Sequence, residues 1–147
     1  MIHYVNMNKP ISDDLIRQIQ SRTGKDPNIL AVYLFGSLLK GNAGPESDFD
    51  LAVVVDKKKP DSEDTIYELI KDIQFPKNLD LSVVDRASSP LFLFQIVGKG
   101  ERIYERNRGD MVKFETFVLH NYYDTVHLRA IYAGHLKKKF SHTTYAN

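Results

Sequence analysis

Two acids with one residue between them, Asp48 and Asp50, follow a Gly36-Ser37 pair after ten intervening residues, and a third acid, Asp80, stands between Leu79 and Leu81. Residues two apart in a strand point to the same face. Asp48 and Asp50, at the start of the apolar run Phe49–Val55, therefore present two carboxylates side by side. Adjacent carboxylates repel, and one tends to keep its proton unless a cation compensates. An all-oxygen ligand set suits Mg²⁺ or Mn²⁺ rather than zinc. Burying a carboxylate between two leucines without a partner is costly. If its strand neighbours that of Asp50, Asp80 completes a triad; otherwise it is an edge-strand residue facing solvent. Three carboxylates can hold two ions about 3.5–4 Å apart, as in in-line phosphoryl transfer.

Gly36-Ser37 supplies the other half. The pair follows the wholly apolar run Ile29–Phe35. Backbone N–H groups exposed after such a strand can hold phosphate oxygens, glycine permits close approach, and the Ser37 hydroxyl adds a donor. Phosphate-binding and metal-binding ends together describe a site for a Mg²⁺–nucleoside triphosphate. Gly36 and Gly41 also begin a P-loop pattern, but Asn42 and Ala43 stand where Lys and Ser/Thr are required, so that motif is rejected. The histidines at 3, 120, 127, 135 and 142 lack the i, i+4 pairing of a helical zinc site. Lys40 and the runs Lys57–Lys59 and Lys137–Lys139 read as solvated lysines.

The elements that must position these residues follow from patterning. Ser12 caps a helix with Asp13 and Asp14 in its first turn, ending near Gly24. Ile29–Phe35 reads as a buried strand and residues 38–47 as a loop, with a helical turn at Leu38-Leu39-Lys40. Phe49–Val55 is a strand, Ser62 caps a helix to about Lys71, and Leu79–Val84 alternates as a half-buried strand does. Ser88-Ser89-Pro90 opens a short helix, and Arg102–Glu105 reads as an edge strand. Residues 110–139 contain no proline and repeat apolar residues at helical spacing, predicting one long helix with a break near Gly134. The expected fold is α/β (α+β): a small mixed sheet of three to four strands with helices packed on one side, and a long C-terminal helix. The length of 147 residues suits one domain, with a core over about 12–106 and a helical extension over about 110–139. Phe114, Phe117, Tyr122, Tyr123 and Tyr132 spread around more than one helix face, so part of the set is expected to meet another chain.

Composition excludes several classes. With 42% hydrophobic and 27% charged residues the chain is not a disordered tail. A formal charge of +1 disfavours blanket phosphate neutralisation, so no direct nucleic-acid partner is expected. The absence of cysteine removes disulfides, thiolate metal sites and cysteine nucleophiles. The first residues lack a signal-peptide pattern, and no uncharged run approaches the ~20 residues of a membrane span. A cytoplasmic location is the expectation.

The arrangement Gly36-Ser37, Asp48-Phe49-Asp50 and later Asp80 resembles the DNA polymerase β-like nucleotidyltransferase superfamily. The size and spacing are most similar to the minimal nucleotidyltransferase (MNT) antitoxins, partners of HEPN toxins. The resemblance spans about residues 12–106 and is specific over 34–55 and 79–84. It implies that Asp48 and Asp50 bind both metals, that Asp80 helps one metal and activates the attacking hydroxyl, and that Gly36 and Ser37 hold the triphosphate. It further implies Mg²⁺ (two ions, with Mn²⁺ as a substitute), ATP as substrate, and transfer of AMP to a tyrosine of a cognate HEPN ribonuclease. The competing readings are transfer to an aminoglycoside-type small molecule and a non-catalytic module that occludes its toxin.

Overall fold

A computed structural model of the chain describes residues 11–36 and 48–144. The elements run α1 (Asp13–Thr23), β1 (Ile29–Phe35), β2 (Phe49–Val55), α2 (Ser62–Ile70), β3 (Leu79–Val84), α3 (Pro90–Lys99), β4 (Glu101–Glu105), α4 (Arg108–Asp124) and α5 (Val126–Thr144). The caps follow the chemistry of their residues. The Ser12 side chain accepts from the Leu15 N–H, that of Ser89 from Phe92 ahead of Pro90, and that of Asn107 from Asp110. Ser62 departs from its expected role. It is the first helical residue, and its Oγ instead accepts from the Lys59 N–H at 2.7 Å.

The four strands form one mixed sheet in the order β3-β2-β1-β4. β1 is antiparallel to both β2 and β4, whereas β2 and β3 run parallel, joined through α2. The expectation of helices on one side is corrected: α1 and α2 cover one face, α3 and α4 the other. On the first, Ile19, Ile66 and Ile70 pack with Val32, Leu51 and Val53. On the second, Leu93, Ile96, Met111 and Phe114 pack with Ala31, Ala52 and Val54. The reason lies in β1 and β2, whose continuous apolar runs put hydrophobic side chains on both faces, so both must be covered. Each such aliphatic or aromatic side chain contributes about 1.5–3 kcal/mol on full burial.

The second face also holds a polar tie. The buried Tyr33 hydroxyl donates to the Glu115 carboxylate at 2.9 Å, and Arg102 pairs with the same carboxylate. Burial, reinforced by Glu115, holds the Tyr33 phenol well above its ordinary range. The group stays neutral and joins β1 to α4.

The expected single C-terminal helix is two, and the break falls at Thr125 rather than at Gly134, which lies within α5. Thr125 caps α4, with its Oγ turned back to the Asn121 carbonyl at 2.9 Å. Such back-bonding bends or ends helices. Of the large aromatics on this segment, Phe114 is buried whereas Tyr123 and Tyr132 are exposed. Val126, Leu128, Ile131 and Phe140 of α5 are exposed as well. Among the described residues, no helix is long and apolar enough to cross a membrane.

Candidate active site

Gly36, Asp50 and Asp80 meet at one end of the sheet because β1, β2 and β3 are neighbours. The ladder pairs Phe35 with Asp50 and Asp50 with Asp80. The condition set by the sequence, that the second and third strands adjoin, is therefore met. Asp48 lies two residues before Asp50 and is exposed, as is Asp80, while Asp50 is half-buried between its neighbours. The same alternation that turns Phe49 into the core turns both acids to the α3 side of the sheet.

The electrostatics are those of crowded carboxylates. Asp80 stands within reach of Asp50 and favours the protonated form of its carboxyl. Burial first, then that interaction and the charges of Asp80 and Asp48, push the Asp50 carboxyl up to about 6 from an ordinary 3.8. Among the described residues, no three His, Cys, Asp or Glu side chains are placed together closely enough to hold a metal ion. The donor set nevertheless fits a hard divalent cation: three carboxylates, surplus negative charge, and no nitrogen or sulfur ligand.

Gly36 is bound to this site by space as well as spacing. Its φ is +91°, a region that residues with a Cβ rarely adopt. A Cβ built there would stand 1.9 Å from Asp50 Oδ2. The backbone of Gly36 therefore lies directly against the Asp50 carboxyl. Ser37 and the whole of residues 37–47, including the expected helical turn and Lys40, lie outside the described residues.

Three residues near the acids carry no motif and escaped the sequence reading. Phe35 is the cross-strand neighbour of Asp50. Phe92 of α3 stands edge-on to Phe35, with centroids 6.1 Å apart. Ser82 follows Asp80 by two positions, a signal that was present in the alternation of β3. A roomier cleft of about 630 Å³ opens beside Ser12, Gln18, Asp72 and Phe75, on the α1 side of the sheet rather than the α3 side that carries the acids. Chemistry rather than volume identifies the site.

A stability prediction follows from Asp50. Its carboxyl is raised in the folded protein, so the stability it contributes is complete below about pH 4 and lost as pH rises through about 6. In chelator, the melting temperature of the wild type is expected to fall between pH 5 and pH 7.5 more steeply than that of Asp50→Asn. Mg²⁺ at pH 7.5 is expected to raise the wild type and leave the variant nearly unmoved. Thermal melts across pH, with and without Mg²⁺, check both; parallel curves for the two proteins would remove the carboxylate crowding.

Residues 17–109 match the family model described as "Polymerase beta, Nucleotidyltransferase". Among solved structures, a toxin–antitoxin complex with AMP-PNP aligns at a TM-score of 0.63 and 21% identity, covering 88% of this chain and 99% of that one. The MntA–HepT toxin–antitoxin complex aligns at 0.61 and 19%, with the same coverages. A complex of the tri-AMPylated Shewanella oneidensis HEPN toxin with its MNT antitoxin aligns at 0.54 and 19%, covering 84% and 94%. At these identities the likeness is one of fold. A comparison with curated protein sequences gives no match.

Proposed function

The chain belongs to the polymerase beta nucleotidyltransferase family, and from that premise we propose that it is an antitoxin that transfers AMP from ATP to a tyrosine hydroxyl of a HEPN ribonuclease toxin. The observation that carries the reading is the register of Asp50 against Asp80, with Asp48 two residues before and the Gly36 backbone against the same carboxyl. The fold likeness to toxin–antitoxin complexes, one of them holding an AMPylated toxin, supports the partner and the transferred group.

In this reading the Gly36 backbone and the Ser37 hydroxyl hold the triphosphate at the β1 side. Asp48, Asp50 and Asp80 would hold two Mg²⁺ ions. When bound, those ions neutralise phosphate charge and stabilise the attacking and leaving oxygens. The tyrosine oxygen attacks the α-phosphorus, a new O–P bond forms, the bond to the β-phosphate oxygen breaks, and pyrophosphate leaves. The phenolic proton passes to a carboxylate oxygen of Asp80, which is exposed at the start of β3. The chain acts as one nucleotidyltransferase domain whose acceptor brings its own binding surface. Exposed apolar side chains on α5, alongside Arg129, Lys137, Lys138 and Lys139 and no acid, give the partner a surface to cover.

That same helix favours a second reading, neutralisation by occlusion alone. Intact mass separates the two. Toxin incubated with ATP, Mg²⁺ and this protein is expected to gain one or more AMP groups, and the Asp48→Ala variant is expected to add none. An unchanged toxin mass, with neutralisation by Asp48→Ala equal to that of the wild type, would leave only the binding module.

A further inference from the structure

We propose that the cleft between the β3 edge and the start of α3 is the acceptor subsite, receiving a phenolic side chain with its ring against Phe92 and its hydroxyl at Asp80. The inference rests on the nucleotidyltransferase reading above and adds to it where the acceptor enters. Gly36 directly follows β1, and Asp50 and Asp80 stand on the next two strands of the sheet, so the site has a phosphate end at β1 and an opposite end at β3. Beyond β1 lies β4. Beyond β3, among the described residues, no further strand is paired. A second substrate therefore has its open approach from the β3 side.

A cleft of about 370 Å³ lies there, lined by Ser82, Val84, Ser88, Ser89 and Phe92 together with Lys58 and Glu63; Asp80 lies just outside it, two residues before Ser82 on β3. Ser82 shares a face with Asp80, and two residues of strand separate their side chains by about 7 Å. The chemistry of the walls is selective. Ser88 Oγ accepts from the Asp85 N–H at 3.0 Å and Ser89 Oγ from the Phe92 N–H at 3.4 Å, so both are committed to the turn and the cap. Ser82 is held in the β2–β3 ladder by its backbone, and its Oγ, which has no hydrogen bond among the described residues, is left to meet a ligand. Phe92 is half-buried, its ring propped by Phe35 at 72° and 6.1 Å, and Phe35 in turn neighbours Asp50. A propped ring beside a free hydroxyl suits an aromatic alcohol, because aromatic pairs gain beyond their buried area. Lys58 is matched by Glu63 at 3.7 Å, so the rim carries a balanced pair rather than the cationic lining that a polyanionic acceptor needs.

The experiment compares wild type, Phe92→Ala, Phe92→Tyr and Ser82→Val with ATP, Mg²⁺ and the purified HEPN toxin as acceptor. Nucleotide affinity is measured separately by titration with a non-hydrolysable ATP analogue. Phe92→Ala is expected to raise the KM for the acceptor about tenfold, a loss the size of one aromatic pair. Nucleotide affinity should stay within about twofold, and Phe92→Tyr should restore the wild-type KM. Ser82→Val, which keeps the bulk of β3, should raise the acceptor KM without moving nucleotide affinity, and it carries the test if Phe92→Ala does not fold. Loss of nucleotide affinity in step with rate would assign the cleft to the nucleotide and overturn the proposal, as would unchanged acceptor KM in both variants. A wild type that modifies no hydroxyl acceptor would overturn the underlying reading instead.

Discussion

Asp50→Asn is expected to lower AMP transfer by at least about 10³-fold, the scale of losing a group that stabilises transition-state charge, while melting no lower than wild type at pH 7.5. The two halves of this result have one cause. Asp50 sits between Asp80 and Asp48, half-buried, with its carboxyl raised to about 6. An arrangement that disfavours the charge on one of its own members detracts from folding at neutral pH, so the amide relieves it. The same amide offers a cation one oxygen where the carboxylate offered two and a negative charge. Asp48→Asn should lose activity comparably with a smaller gain in stability, because Asp48 is exposed and acts on Asp50 only through its charge. Transfer measured by label incorporation, beside melts of the same preparations, checks both. Wild-type rates in either variant would remove the acids from the chemistry.

Gly36→Ala is expected to abolish transfer as completely, and unlike the acid variants to destabilise the protein. A residue with a Cβ held at φ +91° costs on the order of 1–3 kcal/mol in backbone strain. The added methyl would also stand 1.9 Å from Asp50 Oδ2 and 2.9 Å from its Cγ, so the carboxyl must leave its place beside Asp80. The Gly36→Ala/Asp50→Ala double variant discriminates the two terms. It is expected to recover the part of the melting temperature lost to the clash, keep the part lost to φ, and recover no activity. A Gly36→Ala protein that melts and turns over normally would show that the backbone there is free to move away.

The acids and their spacing were legible in the sequence because strand alternation is a local rule: Phe49 is buried, so Asp48 and Asp50 share the other side. The pairing of Asp50 with Asp80 was not, since it depends on β3 adding parallel to β2 through α2, a long-range choice that no local pattern encodes. Cover on both faces was readable in principle from the unbroken apolar runs of β1 and β2. The prediction of helices on one side underused that signal. The break at Thr125 was hidden because the apolar spacing continues through it, and only the back-bonding capacity of a threonine marks the place. Phe92 was out of reach, because its place beside Phe35 exists only once α3 folds over the sheet.

The position of β4 has a consequence for synthesis. The strands bearing Gly36, Asp48, Asp50 and Asp80 are all translated by Val84, so the acid-bearing ladder can pair while the rest of the chain is still being made. β1 nevertheless keeps an open edge until β4 arrives, when Ala31 takes Glu105 as its partner across half of the chain's length. In that interval a long, uncharged, β-rich strand offers its unpaired backbone groups to any neighbour, the condition under which nascent chains associate wrongly. Distant pairings of this kind also close slowly. A nascent chain from which β3 has emerged and β4 has not would therefore hold the complete set of acids on a sheet that cannot yet protect itself.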